Sequence, residues 1–420
     1  MRTNRDIGVG PIHRLIHRPL HRLAAAVTLT LAAGLAPAAG AATESSATEA
    51  ALLHAVTTLH AGDWRSAQHQ LEALVQREPQ FRLAQLMLAD LLAARSGNPE
   101  ALKVIDADNT RVDDLLAEYR ARVQDTLLQA PPPGTLPDAV LQLSGNQRSA
   151  IVVDLPRSRL YVLDKRGGEL HVVGSYYAAI ARKGYGKNVA GDLRTPVGVY
   201  HATGFTPGAS LPPFYGSGAF PLDYPNLWDR AQGRTGSGIW LHGVPADTYA
   251  RPPRTSEGCV VLANNDLLAL KPWIHARATP VVFSDGLHWE KPGALAGERD
   301  ALLKRIAQWR AHWSARDAKG YLALYADDFE TDGMSRSEFA AYKHRVIDGK
   351  QRISVKLSDI DLYRYPGEKN LVLAEFTQDY RSDALNMRSR KQQFWRKGSD
   401  GQWRIVREDN DSVPQTLAQK

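Results

Sequence analysis

Proline donates no backbone hydrogen bond and clashes with a preceding helical turn, so no helix crosses the run Ala130-Pro131-Pro132-Pro133-Gly134. The run divides the chain, and the residue pattern changes character there. Upstream, from Glu49 to Leu128, Ala67, Leu71 and Leu74, then Ala84, Leu88 and Leu91, recur at helical spacing, broken by Gly62-Asp63 and Pro79. Downstream, short apolar runs alternate with turn residues. Ile151-Val152-Val153 and Leu160-Tyr161-Val162-Leu163 flank Pro156-Arg157-Ser158, and a Lys165-Arg166-Gly167-Gly168 turn leads into Leu170 to Ile180. Further strands are expected at Gly198-Val199-Tyr200, Ile239-Trp240-Leu241 and Pro280-Val281-Val282-Phe283. The pattern predicts a helical segment over 44–129, a linker over 130–147 and a mainly β domain over 148–287.

A third part follows Trp289. Leu302, Ile306, Trp309 and Trp313 lie on one face of an amphipathic helix, and Tyr321 to Phe329 continues in shorter helical pieces. After Gly349 come alternating strands carrying Ile353, Val355 and Leu357, then Val372, Ala374 and Phe376, then Phe394-Trp395, then Trp403 and Ile405. Helices followed by antiparallel strands are an α+β pattern over 294–412. It resembles the nuclear-transport-factor-two-like cone fold (SnoaL-type), a fold that hosts enzymes, pockets and dimerisation modules and so specifies no function. Trp309, Trp313, Trp395 and Trp403 are read as core or pocket wall. The first part resembles one tetratricopeptide-type helix pair. A stable array needs about three repeats, so a helical cap or docking element suits it at least as well as a peptide groove. Three parts agree with a length of 420 residues, too great for a single core.

The first 41 residues read as a secretory signal peptide. A basic run from Arg2 to Arg22 precedes an apolar stretch, Leu23 to Leu35, with Pro37 after it and Ala39-Gly40-Ala41 as a small-x-small cleavage site. That stretch is too short to span a bilayer, and no other run approaches the length of a span. No membrane span is expected after cleavage. Setting five arginines against Asp6 there removes four charges from the formal +7 and leaves +3. The pI of about 9.3 therefore does not call for nucleic acid as a partner. In an exported protein disulfides form readily, yet Cys259 is the only cysteine. A lone thiol is a liability there unless it is used, which moves Cys259 from inert towards functional.

The chemistry concentrates in Ile239-Trp240-Leu241-His242-Gly243 and, after a loop, Thr255-Ser256-Glu257-Gly258-Cys259-Val260-Val261-Leu262. A thiol attacks carbonyls as thiolate, and a neighbouring imidazole can take its proton and later return it. The two residues are seventeen apart, and Pro245, Pro252, Pro253 and Gly258 let the loop fold back. Gly258 allows close approach of backbone to substrate, and the N–H groups of Gly258 and Cys259 are candidates for an oxyanion hole. A buried, inert cysteine is the rival reading, weakened here by Ser256, Gly258 and His242. Arg182-Lys183-Gly184-Tyr185-Gly186-Lys187 reads as a solvated hairpin tip, with Arg182 and Lys183 as a candidate grip on a carboxylate or glycan. The histidines are scattered without zinc-site spacing, and no phosphate loop occurs, so neither metal nor cofactor is expected.

These residues closely resemble the YkuD-type L,D-transpeptidase domain, whose signature is a strand-borne His-Gly followed by Ser-x-Gly-Cys. Gly191-Asp192-Leu193-Arg194-Thr195-Pro196-Val197-Gly198-Val199-Tyr200 resembles a second element of the family, and Ser158-Arg159-Leu160-Tyr161-Val162 is similar to its early hairpin. The resemblance spans about 148–285. It implies action on peptidoglycan stem peptides: Cys259 attacks the carbonyl between diaminopimelate and D-Ala, His242 moves the proton, and the Gly243 carbonyl orients the imidazole. Ser256 would shape the loop, with Asp192, Thr195 and Asn264 as candidate substrate contacts. Val261 stands where many members carry Arg or Asn, and Glu257 replaces a commonly basic or His residue. The resemblance therefore leaves the substrate-carboxylate contact and acceptor preference open. Val260 to Asn264, together with a cone-fold domain, is similar to the L,D-carboxypeptidases that shape curved or helical bacteria. The expectation is a periplasmic L,D-carboxypeptidase. An L,D-transpeptidase and a non-catalytic wall-binding scaffold are the alternatives. The cone domain would serve as a pocket, a wall-binding face, or a homodimer or protein contact.

Overall fold

The computed structural model describes residues 44–96, 109–124, 127, 130–331 and 333–411. The expected signal peptide, parts of the helical segment beyond Ser96 and the last residue of the expected third domain lie outside the described residues. The chain is multidomain, with N-terminal helices, a mainly β middle and a C-terminal α+β domain, as the sequence pattern predicts.

Helices α1 (Glu44–His60), α2 (Trp64–Arg77), α3 (Arg82–Ser96) and α4 (Asn109–Tyr119) make the first part. Asp63 starts α2 by accepting from the Ser66 N–H at 3.1 Å, satisfying a helix-end donor. The periodic residues Ala67, Leu71, Leu74, Ala84 and Leu91 point into one core, which also takes in Tyr249 and Ala263 from the β domain. A charged knot reinforces the joint. Glu49 accepts from Arg122 Nη1 at 2.6 Å and from Arg159 Nη1 at 2.7 Å, and Arg122 Nε donates to Glu118 at 2.7 Å. Burial alone would raise the Glu49 carboxyl, but the Arg122 and Arg159 guanidinia outweigh it and hold Glu49 below its ordinary range.

After β1 (Val140–Gln142), the middle domain is built from β2 (Ser149–Asp154), β3 (Arg159–Arg166), β4 (Glu169–Tyr177), β5 (Ile180–Ala181), β6 (Gly198–His201), β7 (Gly218–Pro221), β8 (Trp240–His242), β9 (Arg254–Ser256), β10 (Val260–Val261) and β11 (Pro280–Ser284), with α5 (Asn264–Ala269). Its main sheet runs β4-β3-β2-β11-β6, and a smaller one runs β10-β8-β7 and ends on Thr206–Pro207. Strand β2 is buried along its whole length, which suits its unbroken Ala150-Ile151-Val152-Val153 run in a central position. The 130–147 stretch departs from a plain linker. Leu136–Pro137 pairs with Trp289–Glu290, and β1 adds an edge strand to the C-terminal sheet. The prolines stop a helix but leave the residues after them free to pair.

The C-terminal domain comprises α6 (Ala296–Ser314), α7 (Ala318–Leu322), α8 (Arg336–Asp348), β12 (Ile353–Arg364), β13 (Leu371–Ser382), β14 (Asn386–Lys397) and β15 (Trp403–Asp411). Its sheet is antiparallel in the order β1-β12-β13-β14-β15. Leu302, Ile306, Trp309 and Trp313 face that sheet, and Trp395 and Trp403 lie in the same core. Helix α8 is marked by a capping box, Ser335 with Glu338.

The two β-rich domains share a core. Val152, Tyr161, Val199 and Val282 of one meet Tyr363, Leu373 and Phe394 of the other, and Trp228 stacks on Phe394 with centroids 5.2 Å apart. Beside it, His201 Nε2 lies 3.1 Å from Glu375, which also accepts from Arg390 at 2.7 Å, while Asp223 stands 3.6 Å from His201 Nδ1. Burial would lower the His201 pKa, but Glu375 and Asp223 overcome it and raise it to about 10. Burial likewise opposes the Glu375 charge, and His201 and Arg390 win, holding its carboxyl well below the ordinary range.

Removing one partner leaves the other buried and unpaired, so Glu375→Gln should cost about 3 kcal/mol of stability in urea unfolding. The sign follows from both shifts. The His201 part is complete below its ordinary 6.5 and lost as pH rises through about 10. The Glu375 part is complete above its ordinary 4.5 and lost as pH falls below it. The difference between wild type and variant should therefore peak between about pH 5 and 6.5 and shrink on both sides.

Candidate active site

The parallel pairing of β8 with β10 places the candidate nucleophile. Leu241 is in register with Val260 and His242 with Val261, so Cys259 stands one step earlier, beside Trp240. Side chains alternate along a strand, which puts Cys259 and His242 on one face, diagonally across the pair. Two other side chains sense both. The Tyr215 ring lies edge-on to His242 with centroids 5.0 Å apart, and its hydroxyl feels the Cys259 charge. The Arg251 guanidinium acts electrostatically on His242 and on Cys259.

The local turns are fixed by hydrogen bonds that leave little slack. Ser256 Oγ donates to the Cys259 carbonyl at 2.6 Å and accepts from the Gly258 N–H at 3.3 Å, closing the Ser-Glu-Gly-Cys turn. Gly258 has φ +155°, and a Cβ there would come within 2.9 Å of the Ile239 side chain. Behind His242, Asn264 Oδ1 accepts from the N–H groups of Ser217 (2.8 Å) and Val244 (3.2 Å), and its Nδ2 donates to the Val244 carbonyl at 2.8 Å. A Cβ on Gly243 would collide with that Asn264 oxygen. Asn264 thus holds the chain as it leaves the histidine.

His242 is 1 % exposed, and its Nδ1 lies 2.7 Å from the Gly243 carbonyl oxygen. An N–H on Nδ1 donates to that oxygen, so the proton is absent from Nε2 and this nitrogen is the basic one. Burial pushes the imidazole down to about 4; the Gly243 carbonyl opposes this and Arg251 adds to it. Cys259 is partly exposed, and its thiol donates to the Gly238 carbonyl at 3.4 Å. Burial pushes it up to about 11, against the Trp240 N–H and Arg251, which favour thiolate, while Glu257 adds to the rise. The resting pair is therefore neutral thiol and neutral imidazole.

The other residues singled out in the sequence are placed as follows. Arg182 pairs with Glu257 at 2.6 Å on the open rim beside Cys259, and Lys183 is exposed next to it. Asp192 accepts from Lys187 Nζ (2.8 Å) and from three N–H groups of its own loop, Asn188, Val189 and Arg194. Thr195 is buried, and its Oγ1 accepts from the Ala181 N–H at 3.1 Å. Asp192, Thr195 and Asn264 thus use their side chains on backbone that shapes the site. Sequence reasoning passed over Phe214, Tyr215 and Arg251. Phe214 stays exposed, 5.6 Å from the His242 ring, and Arg251 lies 4.1 Å over it. The signal was an aromatic pair inside Leu211-Pro212-Pro213-Phe214-Tyr215-Gly216, where a loop has no core to fill. Among the described residues no group of three or more His, Cys, Asp or Glu could hold a metal ion, and no helix is long and apolar enough to cross a membrane.

A cysteine and a histidine thus share one face of adjoining strands, with a carbonyl on the histidine Nδ1 and a tight glycine turn before the thiol. Residues 148–283 match the YkuD family of L,D-transpeptidase catalytic domains and residues 301–409 match the Cds6 C-terminal NTF2-like domain, so the chain combines an L,D-transpeptidase catalytic domain with an NTF2-like domain. Bd1075 of Bdellovibrio bacteriovorus is 27% identical, with a TM-score of 0.58 over 67% of this chain and 99% of that one. The helical cell shape determining protein Pgp2 of Campylobacter jejuni is also 27% identical, with a TM-score of 0.57 over 65% of this chain and 95% of that one. No curated protein matches the chain significantly.

The neutral resting pair has a direct readout. Alkylation of Cys259 by iodoacetamide should be slow at pH 7 and keep rising through pH 9, with a midpoint near 11. An ordinary free thiol would level off above about 8.5. A plateau already present at pH 6 would show a standing thiolate–imidazolium pair instead.

Proposed function

We propose that this protein is an exported L,D-carboxypeptidase that removes D-Ala from peptidoglycan tetrapeptide stems. The observation that carries the reading is the Cys259–His242 arrangement inside an L,D-transpeptidase domain, with Nδ1 tied to Gly243 and Nε2 left as the base. His242 Nε2 takes the thiol proton as sulfur attacks the carbonyl between diaminopimelate and D-Ala. The tetrahedral adduct collapses as the imidazolium protonates the D-Ala nitrogen, the C–N bond breaks and D-Ala leaves. Water, deprotonated by the same imidazole, then attacks the thioester, releasing the tripeptide and restoring the thiol. The likeness to Pgp2, over nearly all of that cell shape determining protein, supports trimming of stems and an effect on cell shape. Val261, buried and apolar beside Cys259, supports hydrolysis over a reaction that must hold an acceptor there. A wall substrate supports export, with the periplasm as the site of action.

The test uses residues 42–420 with tetrapeptide-stem muropeptides, read by mass spectrometry. Loss of one D-Ala is expected, abolished in Cys259→Ala and reduced at least about 1,000-fold in His242→Ala. Dimers joined between two diaminopimelates would make the protein a cross-linking transpeptidase. No change, with binding to the wall retained, would make it a scaffold.

A further inference from the structure

Several arginines that sit inside this molecule have carboxylates. Arg122 has Glu49 and Glu118, Arg159 has Glu49, Arg234 has Asp229, and Arg390 has Glu375. Arg305 and Arg336 lack a carboxylate but donate to the Trp403 and Leu322 carbonyls, whereas the Arg251 guanidinium shows neither an ion pair nor a hydrogen bond among the described residues. Arg251 is half-buried and lies 4.1 Å over the Phe214 ring. It is nevertheless held, because its carbonyl accepts from the Tyr177 hydroxyl at 2.8 Å, and Tyr177 itself lies under the Arg122 guanidinium at 3.9 Å. Its charge reaches both reacting groups, His242 and Cys259. On the same rim, Arg182 is already paired with Glu257.

We infer that Arg251 binds the free C-terminal carboxylate of the residue that leaves, so that the site selects stems ending one residue beyond the scissile bond. The inference rests on the carboxypeptidase reading above. A D-Ala carboxylate is separated from the scissile nitrogen by a single carbon, so a cation beside nucleophile and base lies where that carboxylate must be. A guanidinium presents paired donors that match a carboxylate, and its stacking on Phe214 fixes the plane of the fork. An added residue would carry the carboxylate past Arg251, and amidation would remove the charge.

The experiment compares a tetrapeptide-stem muropeptide with its C-terminal carboxamide, in wild type, Arg251→Gln and Arg251→Lys. Wild type should favour the free acid by about 10- to 100-fold in kcat/KM, the range of a charge-assisted hydrogen-bonded pair. Arg251→Gln should lose that preference through a higher KM for the acid alone, and Arg251→Lys should keep part of it. Equal losses on acid and amide in Arg251→Gln would overturn the inference and make Arg251 a residue that only tunes the thiol. Binding of the same two ligands to Cys259→Ala, with and without Arg251→Gln, separates the two claims. Acid-selective binding that needs Arg251, in a protein that releases no D-Ala, keeps the carboxylate site and sinks the carboxypeptidase reading. Binding indifferent to Arg251 sinks the site, whatever the wild type releases.

Discussion

The active centre hangs on a parallel pairing of two short strands, Trp240–His242 and Val260–Val261. Antiparallel neighbours can be joined by two residues, but parallel ones need a crossover of a dozen or more, because the chain must return to the same end. The seventeen-residue offset between His242 and Cys259 satisfies that geometry and obliges the protein to carry an irregular loop across its site. Apart from β9 at its far end, which pairs with β5, the loop has no ladder and must be tied from outside. The helical segment does this through Phe81, packed 4.3 Å from Tyr249, and through Arg122, which lies over Tyr177 of β4 while that tyrosine's hydroxyl donates to the Arg251 carbonyl. Asn264 holds the near end and Ser256 the far one. The N-terminal helices therefore hold the loop between His242 and Cys259.

The same packing explains the electrostatics. Burial acts on both members of the pair in the direction of neutrality, lowering the imidazole to about 4 and raising the thiol to about 11. Nearby groups do not reverse it: at the thiol only the Trp240 N–H and Arg251 oppose burial, and Glu257 acts with it. A protonated thiol oxidises slowly, because oxidation needs thiolate. For a protein expected to work outside the reducing cytoplasm, keeping Cys259 neutral until a substrate arrives reconciles its exposure with its survival.

How much of this was legible depended on how local the information was. Cys259 and His242 lie close in sequence and carry side chains with few common uses at that spacing, so their pairing could be read directly. The strands of the main sheet were equally plain, since runs such as Ala150–Val153 are buried on both faces and need no partner to be recognised. Arg251 and Phe214 could not be paired in advance. They come from loops thirty-seven residues apart that meet only because β7 and β8 are neighbours. The edge strand Val140–Gln142 was hidden for a similar reason: its partner, Leu362–Tyr363, lies in another domain. Helix α8 was readable in principle, from the Ser335 and Glu338 capping box, but its apolar stripe is sparse and a periodicity argument passes over it.

The joint with the C-terminal domain differs from an ordinary linker contact, and this bears on where adaptation to substrate can occur. Interfaces between domains are usually polar and permit motion unless they are large and apolar. Here Val152, Val199 and Val282 share a core with Tyr363 and Phe394, and the His201–Glu375–Arg390 cluster is sealed against the same surface. Sliding one sheet on the other would strip buried charges of their partners, a cost of several kcal/mol. The two β-rich domains therefore move as one body, and the helices are fixed to it by the Glu49–Arg159 pair. What stays free is the rim: exposed Phe214, Arg251 above it, and the Arg182–Glu257 pair. Under the proposed function, selection among stems falls to these side chains, closing on the end of the peptide over a Cys259–His242 pair already set.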